Sequence, residues 1–148
     1  MTHIRLETEI EAPVDLCFDL CLNVDVQLSL DLGTRAVGGV TRGRLNPGDT
    51  VTWRARHFGV PWRMTSAIIR ADRPRCFADE MQSGPFAHWR HVHTFEEGEI
   101  GTRMLDDVEY HPPLGPIGRL FDVAILERYL TRLLRSRNQQ LKLIAERR

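Results

Sequence analysis

Residues 115–148 read GPIGRLFDVAILERYLTRLLRSRNQQLKLIAERR, and what this stretch packs against decides the fold. Leu120, Phe121, Ala124, Ile125, Tyr129, Leu133, Leu134, Leu141 and Ile144 recur at helical spacing and form a broad apolar stripe. His111-Pro112-Pro113 marks the break before it. About thirty helical residues rise roughly 45 Å, enough to lie across a whole sheet.

The sheet is written upstream. Turn residues punctuate residues 35–110 at Gly38-Gly39, Asn46-Pro47-Gly48-Asp49, Gly59-Val60-Pro61, Asp72-Arg73-Pro74, Ser83-Gly84-Pro85 and Glu97-Gly98-Glu99. That spacing predicts a meander of about six antiparallel strands. Val51, Trp53 and Ala55 alternate with Thr52, Arg54 and Arg56, while Trp62, Met64 and Ile68 oppose Arg63 and Thr65, so each strand has an apolar and a wet face. Ile4, Leu6, Thr8 and Ile10 alternate in the same way with Arg5, Glu7, Glu9 and Glu11. Ala12-Pro13 ends that first strand, and Val14, Cys17, Phe18 and Cys21 follow at helical spacing. A second short helix is expected from about Asn23 to Asp31, with Asn23 or Asp25 near its start.

A single amphipathic helix cannot cover both faces of such a sheet. The economical solution is α+β: a curved antiparallel sheet of about seven strands wrapped around the long C-terminal helix, with two short helices after the first strand. Such a curl tends to leave a cavity between helix and sheet.

A length of 148 residues suits one domain, 1–148. Twenty Lys+Arg balance twenty Asp+Glu, so nothing global points to nucleic acid. Apolar runs are too short for stable membrane insertion, and His3, Arg5, Glu7 and Glu9 stand where a signal peptide needs an apolar stretch. Three cysteines, an odd number without framework spacing, suit a reducing compartment, and a cytoplasmic protein is expected. From Arg119 onward eight basic residues face three acidic ones; the reading is a solvated outer helix face, with an anionic membrane surface as the other use of that asymmetry. Monomer and homodimer both remain open.

Several strings carry a resemblance: Ile10-Glu11-Ala12-Pro13-Val14 with Phe18-Asp19; Ala36-Val37-Gly38-Gly39-Val40-Thr41 with Gly43; Gly48-Asp49 with Val51-Thr52-Trp53-Arg54-Ala55. Ser83-Gly84-Pro85-Phe86, Trp89 to Phe95, Gly101-Thr102 and Asp106 to Tyr110 continue it. In this order they resemble the helix-grip SRPBCC superfamily, which includes START domains, the major birch pollen allergen and polyketide cyclases/dehydrases. The resemblance spans nearly the whole chain and implies the helix-grip fold and a bacterial ligand-binding branch, without naming a reaction. It also implies a His near the position of Gln27 and a Glu near that of Thr34; this chain has neither, which weighs against an enzyme.

Chemistry concentrates in His88-Trp89-Arg90-His91-Val92-His93-Thr94-Phe95. On a strand Trp89, His91, His93 and Phe95 share a face, and the aromatic members mark it as inward. Folding the downstream hairpin about residues 97–100 places Thr102, Met104, Asp106 and Val108 opposite Phe95, His93, His91 and Trp89, within a two-residue slip. Folding the upstream hairpin puts Met81, Asp79 and Phe77 on the same face. His91 or His93 is therefore expected to be flanked by Asp79 and Asp106, and a carboxylate beside an imidazole raises its pKa and fixes its tautomer. Such a group could move protons in an enolisation, dehydration or aldol cyclisation, or could simply satisfy itself and hold ordered water.

His91-x-His93 with Asp106 also has metal-ligand spacing, but no HExxH or CxxC accompanies it, and neither metal nor cofactor is expected. Ser66 lacks a GxSxG setting and reads as a hydrogen-bonding wall residue; Cys17 and Cys21 read as small core residues. Trp53, Trp62, Met64, Phe77, Met81, Trp89, Phe95, Met104 and Tyr110 fall on the inner parity and would form apolar walls. The expected function is binding or transport of a hydrophobic or amphipathic small molecule, such as a lipid, polyketide or aromatic metabolite. The alternatives are a cofactor-free polyketide cyclase/dehydratase using His91, His93, Asp106 and Asp79, and a partner-binding regulatory module whose interior is filled by side chains.

Overall fold

The computed structural model describes residues 1–31 and 33–148. Seven strands, β1 (Thr2–Ile10), β2 (Arg35–Gly39), β3 (Thr50–His57), β4 (Val60–Asp72), β5 (Cys76–Ser83), β6 (His88–Glu97) and β7 (Thr102–His111), form one antiparallel sheet. Its spatial order is β1-β7-β6-β5-β4-β3-β2, so the first two strands are the two edges. The helices α1 (Val14–Cys21) and α2 (Val24–Leu30) carry the chain from one edge to the other.

Local chemistry explains these elements. β1 buries Ile4, Leu6, Thr8 and Ile10 and exposes Arg5, Glu7 and Glu9, the period of two read from its sequence. Pro13 precedes α1, where its missing N–H costs nothing. Asn23 caps α2, its Oδ1 accepting from the Val26 N–H at 3.2 Å.

Register shifts between Ala36 and Gly38, between Thr65 and Ser66, and between Ile68 and Arg70 bend the sheet as bulges do. Gly39 closes the first of these at φ +66°, where a Cβ would stand 2.2 Å from the Thr50 carbonyl oxygen. Beneath α1 the core is aromatic: the Phe18 ring meets Phe77 and Phe95 edge-on, each with centroids 5.6 Å apart.

The C-terminal rod comprises α3 (Gly115–Phe121), a π turn (Asp122–Leu126) and α4 (Glu127–Glu146). Its buried line is Gly118, Asp122, Leu126, Leu130, Leu134, Leu141 and Ala145. The expected stripe is corrected at its start: Leu120 is 73% and Ile125 48% exposed, and Ala124 is exposed too. The reason is Asp122, whose carboxylate accepts from the Thr2 and Tyr110 hydroxyls and ties this end to β1 and β7. The wider π turn aligns residues four apart, so 118, 122, 126 and 130 face the sheet and the aliphatic residues between them face out.

Gly118 has no room for a side chain, because a Cβ would lie 1.4 Å from the Pro113 carbonyl oxygen. Gly118→Ala must displace the start of α3 and is expected to cost about 2 kcal/mol, the usual scale of overpacking. A thermal melt indistinguishable from wild type would contradict this packing. Among the described residues no helix is long and apolar enough to cross a membrane.

Candidate functional site

The site is built where β5, β6 and β7 lie side by side beneath α4. The β6–β7 hairpin turns through residues 98–101, with Gly98 N–H bonded to the Gly101 carbonyl at 2.9 Å, so Glu97 pairs with Thr102. Phe95 then faces Met104, His93 faces Asp106 and His91 faces Val108, a two-residue shift from the simplest hand pairing. An even shift preserves which face each side chain takes, so the same groups still meet. On the other side Asp79 faces His91 and Phe77 faces His93.

The carboxylates reach across these pairings. Asp106 Oδ1 accepts from His91 Nε2 at 2.7 Å and stands 3.4 Å from His93 Nδ1, while its Oδ2 accepts from Asn138 Nδ2 of α4 at 2.7 Å. Asp79 Oδ2 lies 3.2 Å from His93 Nε2. The two imidazoles stack, with centroids 3.7 Å apart and planes inclined by 20°. Phe77 stacks on His93 from the other side at 4.1 Å and 15°. His91 and Asp106 are both buried.

This packing splits the two histidines. Burial alone would depress His91, but the Asp106 carboxylate outweighs it and holds the imidazole above its ordinary pKa. Burial depresses His93 and the neighbouring His91 charge adds to this, with Asp79 and Asp106 offsetting only part of it. For Asp106 burial works upward, yet the His91 bond, the His91 and His93 charges and the Asn138 bond together prevail and bring it to about 2. His91 therefore holds its proton more tightly, and its stacked neighbour less tightly, than an ordinary imidazole, an asymmetry of the kind that proton transfer uses.

Donor atoms of Asp79, His91 and His93 all lie within 4.8 Å of one another, close enough to raise the question of a metal. Imidazole lone pairs lie in the ring plane, and here the rings are stacked with planes inclined by only 20° and centroids 3.7 Å apart. An ion shared by both would sit far out of each plane. The arrangement is that of a hydrogen-bonded stack rather than of converging ligands.

A pocket of about 240 Å³ lies between this stack and α4. Trp53, Trp62, Met64, Ser66, Phe77, Trp89 and Met104 line it, with Asp79, His91, His93 and Asp106. Met81, Phe95 and Tyr110 are not among the residues that line it. Phe95 is consumed by the aromatic core under α1, and the Tyr110 hydroxyl is held by Asp122 at 2.5 Å. Met81 packs, half-buried, in the Trp89 cluster beside Gly84.

Gln27, Asp31, His57, Tyr129, Arg137 and Asn138 also line the pocket and were missed as site residues. His57 continues the parity of Val51, Trp53 and Ala55, so alternation could have found it. Its Nδ1 is 2.6 Å from the Tyr129 hydroxyl, and burial lowers its pKa. Arg137 lies three residues after Leu134 and four before Leu141, on the buried side of α4. Its charge groups it with the solvated basic face, and its helical position is the signal that separates it.

The family described as "Polyketide cyclase / dehydrase and lipid transport" matches residues 1–146. The chain belongs to this family. Solved structures share this fold at low identity. TTHA0849 from Thermus thermophilus is 16% identical with a TM-score of 0.76, covering 97% of this chain and 99% of that one. Ara h 8.0201 is 12% identical with a TM-score of 0.71, covering 99% of each chain. The major latex-like protein 151 from Panax ginseng is 12% identical with a TM-score of 0.72, covering 97% of each. No curated protein sequence matches. Membership of this family and the helix-grip likeness agree with the resemblance carried by the sequence strings.

Proposed function

We propose that this polyketide cyclase/dehydrase and lipid transport family member binds a hydrophobic or amphipathic small molecule between its sheet and α4, with residues 1–148 acting as one helix-grip unit. The pocket volume carries the reading: about 240 Å³ far exceeds the roughly 30 Å³ of a single water. The wall is mainly aromatic and aliphatic with a few converging polar groups, the usual make-up of a small-molecule site. Burial at about 25 cal/mol per Å² of apolar surface is enough for useful affinity after ordering costs. A pocket of this size left open between sheet and α4 weighs against a partner-binding module whose interior is filled by side chains. Free Cys17, Cys21 and Cys76 suit a cytoplasmic setting.

Native mass spectrometry after mild purification is expected to reveal a co-purifying small molecule. Ala55 lines the pocket opposite Trp62 on β4. Ala55→Trp should fill the space and weaken binding of the neutral probe Nile red by about tenfold or more, since a lost apolar contact area of this size is worth over about 1.4 kcal/mol. Unaltered probe affinity would reject the pocket as the binding site.

The oppositely shifted imidazole pair favours a second reading, acid-base catalysis on a carbonyl compound such as a polyketide. His91→Gln and His93→Gln would then abolish turnover while Nile red binding persists. Turnover that survives both substitutions would remove this reading and leave the carrier.

A further inference from the structure

Arg137 is the cation that the His/Asp stack leaves without a carboxylate of its own. Its Nη2 donates to Gln27 Oε1, and Gln27 Nε2 is itself bonded to the Cys21 carbonyl at 3.0 Å, so the amide is held in place. Among the described residues Arg137 forms no salt bridge. The pocket carboxylates are engaged elsewhere: Asp106 by His91 and Asn138, Asp79 by His93, and Asp31 by Gly33 N–H at 3.0 Å and Thr34 Oγ1 at 2.8 Å.

A guanidinium carries five N–H donors in a planar fork and stays charged in proteins. Only one of these donors is placed on Gln27. Burial works against the Arg137 charge, with Asp31, Asp79 and Asp106 offsetting part of it from a distance. A partly buried cation lining a largely apolar pocket gains when an anion completes its hydrogen bonds.

We propose that Arg137 anchors the headgroup of the ligand, and that the ligand is a singly charged carboxylate on an apolar body. This inference rests on the pocket being the binding site. The planar fork matches a carboxylate in bidentate geometry. The three nearby acids set the charge limit: a monoanion balances Arg137, whereas a dianion meets added repulsion from Asp31, Asp79 and Asp106.

The experiment is displacement of Nile red from the full chain near neutral pH by decanoate, decanol and decyl phosphate, each below its micelle-forming concentration. Decanoate should compete about ten- to a hundredfold better than decanol, the scale of a charged hydrogen-bond pair, and better than decyl phosphate. Arg137→Gln should erase the preference for decanoate while Nile red and decanol still bind, and Arg137→Lys should keep part of it. Far-UV circular dichroism verifies that both variants are folded; should the Gln variant unfold, the Lys variant and the wild-type ranking carry the decision. Failure of Nile red to bind wild type overturns the pocket reading and this inference with it. Nile red binding with decanol equal to decanoate, or a decanoate preference that persists without Arg137, overturns the anchor alone. Tighter binding of decyl phosphate overturns the charge limit.

Discussion

Asp106→Ala is expected to destabilise the fold by about 4 kcal/mol, the scale of removing one partner from a buried ion pair. The carboxylate is 4% exposed and accepts from both His91 and Asn138, so its removal strands an imidazole and an amide together. Urea unfolding should show a lower midpoint at an unchanged slope, because surface exposure on unfolding barely changes. A loss under about 1 kcal/mol would mean that the buried pair does not form.

The pH dependence has a definite sign for each member. Asp106 is held near 2 against an ordinary 3.8, so its contribution is full above the ordinary value and is lost as pH falls through about 2. His91 is raised from 6.5, so its contribution is full below 6.5 and is lost as pH rises through its folded value. His93 is lowered from 6.5 and acts oppositely, weakening the fold as pH falls below 6.5. His91→Gln should therefore flatten the alkaline side of the stability profile, and His93→Gln the acidic side. An NMR titration of the imidazole carbons should show one midpoint above and one below the ordinary histidine value; two coincident midpoints would contradict the stacked, differently paired rings.

Asp122→Ala is expected to cost about 3 kcal/mol, because it leaves the Tyr110 hydroxyl buried without its acceptor. Asp122 takes the Tyr110 and Thr2 hydroxyls, each at 2.5 Å, and Tyr110 is fully buried. The same carboxylate, after burial, pushes the Tyr110 pKa well above its ordinary range. Since these bonds tie the π turn to β1 and β7, amide exchange in residues 115–126 should accelerate in the variant. Tyr110→Phe removes the donor instead and should cost only about 1 kcal/mol. Equal losses for the two variants would show that Asp122 is not the tie.

Much of the site was legible in the strand alternation. His91, His93, Asp79 and Asp106 share one face because the side-chain period is two, and this survived a register two residues away from the hand pairing. The simplest folding of the hairpin sets Asp106 opposite His91; the ladder sets it opposite His93, with its carboxylate reaching diagonally to His91, because the register follows the Gly98–Gly101 hydrogen bond that closes the hairpin. Phe95 and Tyr110 pass the same parity test yet miss the pocket, because parity says inward but not what covers the inner face at each point along a strand. Arg137 was hidden for a different reason. Its charge suggested water, and only the packing of α2 against α4 brings Gln27 to meet it.

By itself the sequence determined the element order, the inner and outer face of every tested strand, and the gathering of two imidazoles with two carboxylates. Those properties are local or period-two, and a backbone obeys them before any distant contact forms. Tertiary structure alone decided the π turn, the outward aliphatic side of α3, and the arginine facing the pocket. Each depends on residues more than a hundred positions apart, Thr2 with Asp122 and Gln27 with Arg137, whose meeting no local period encodes.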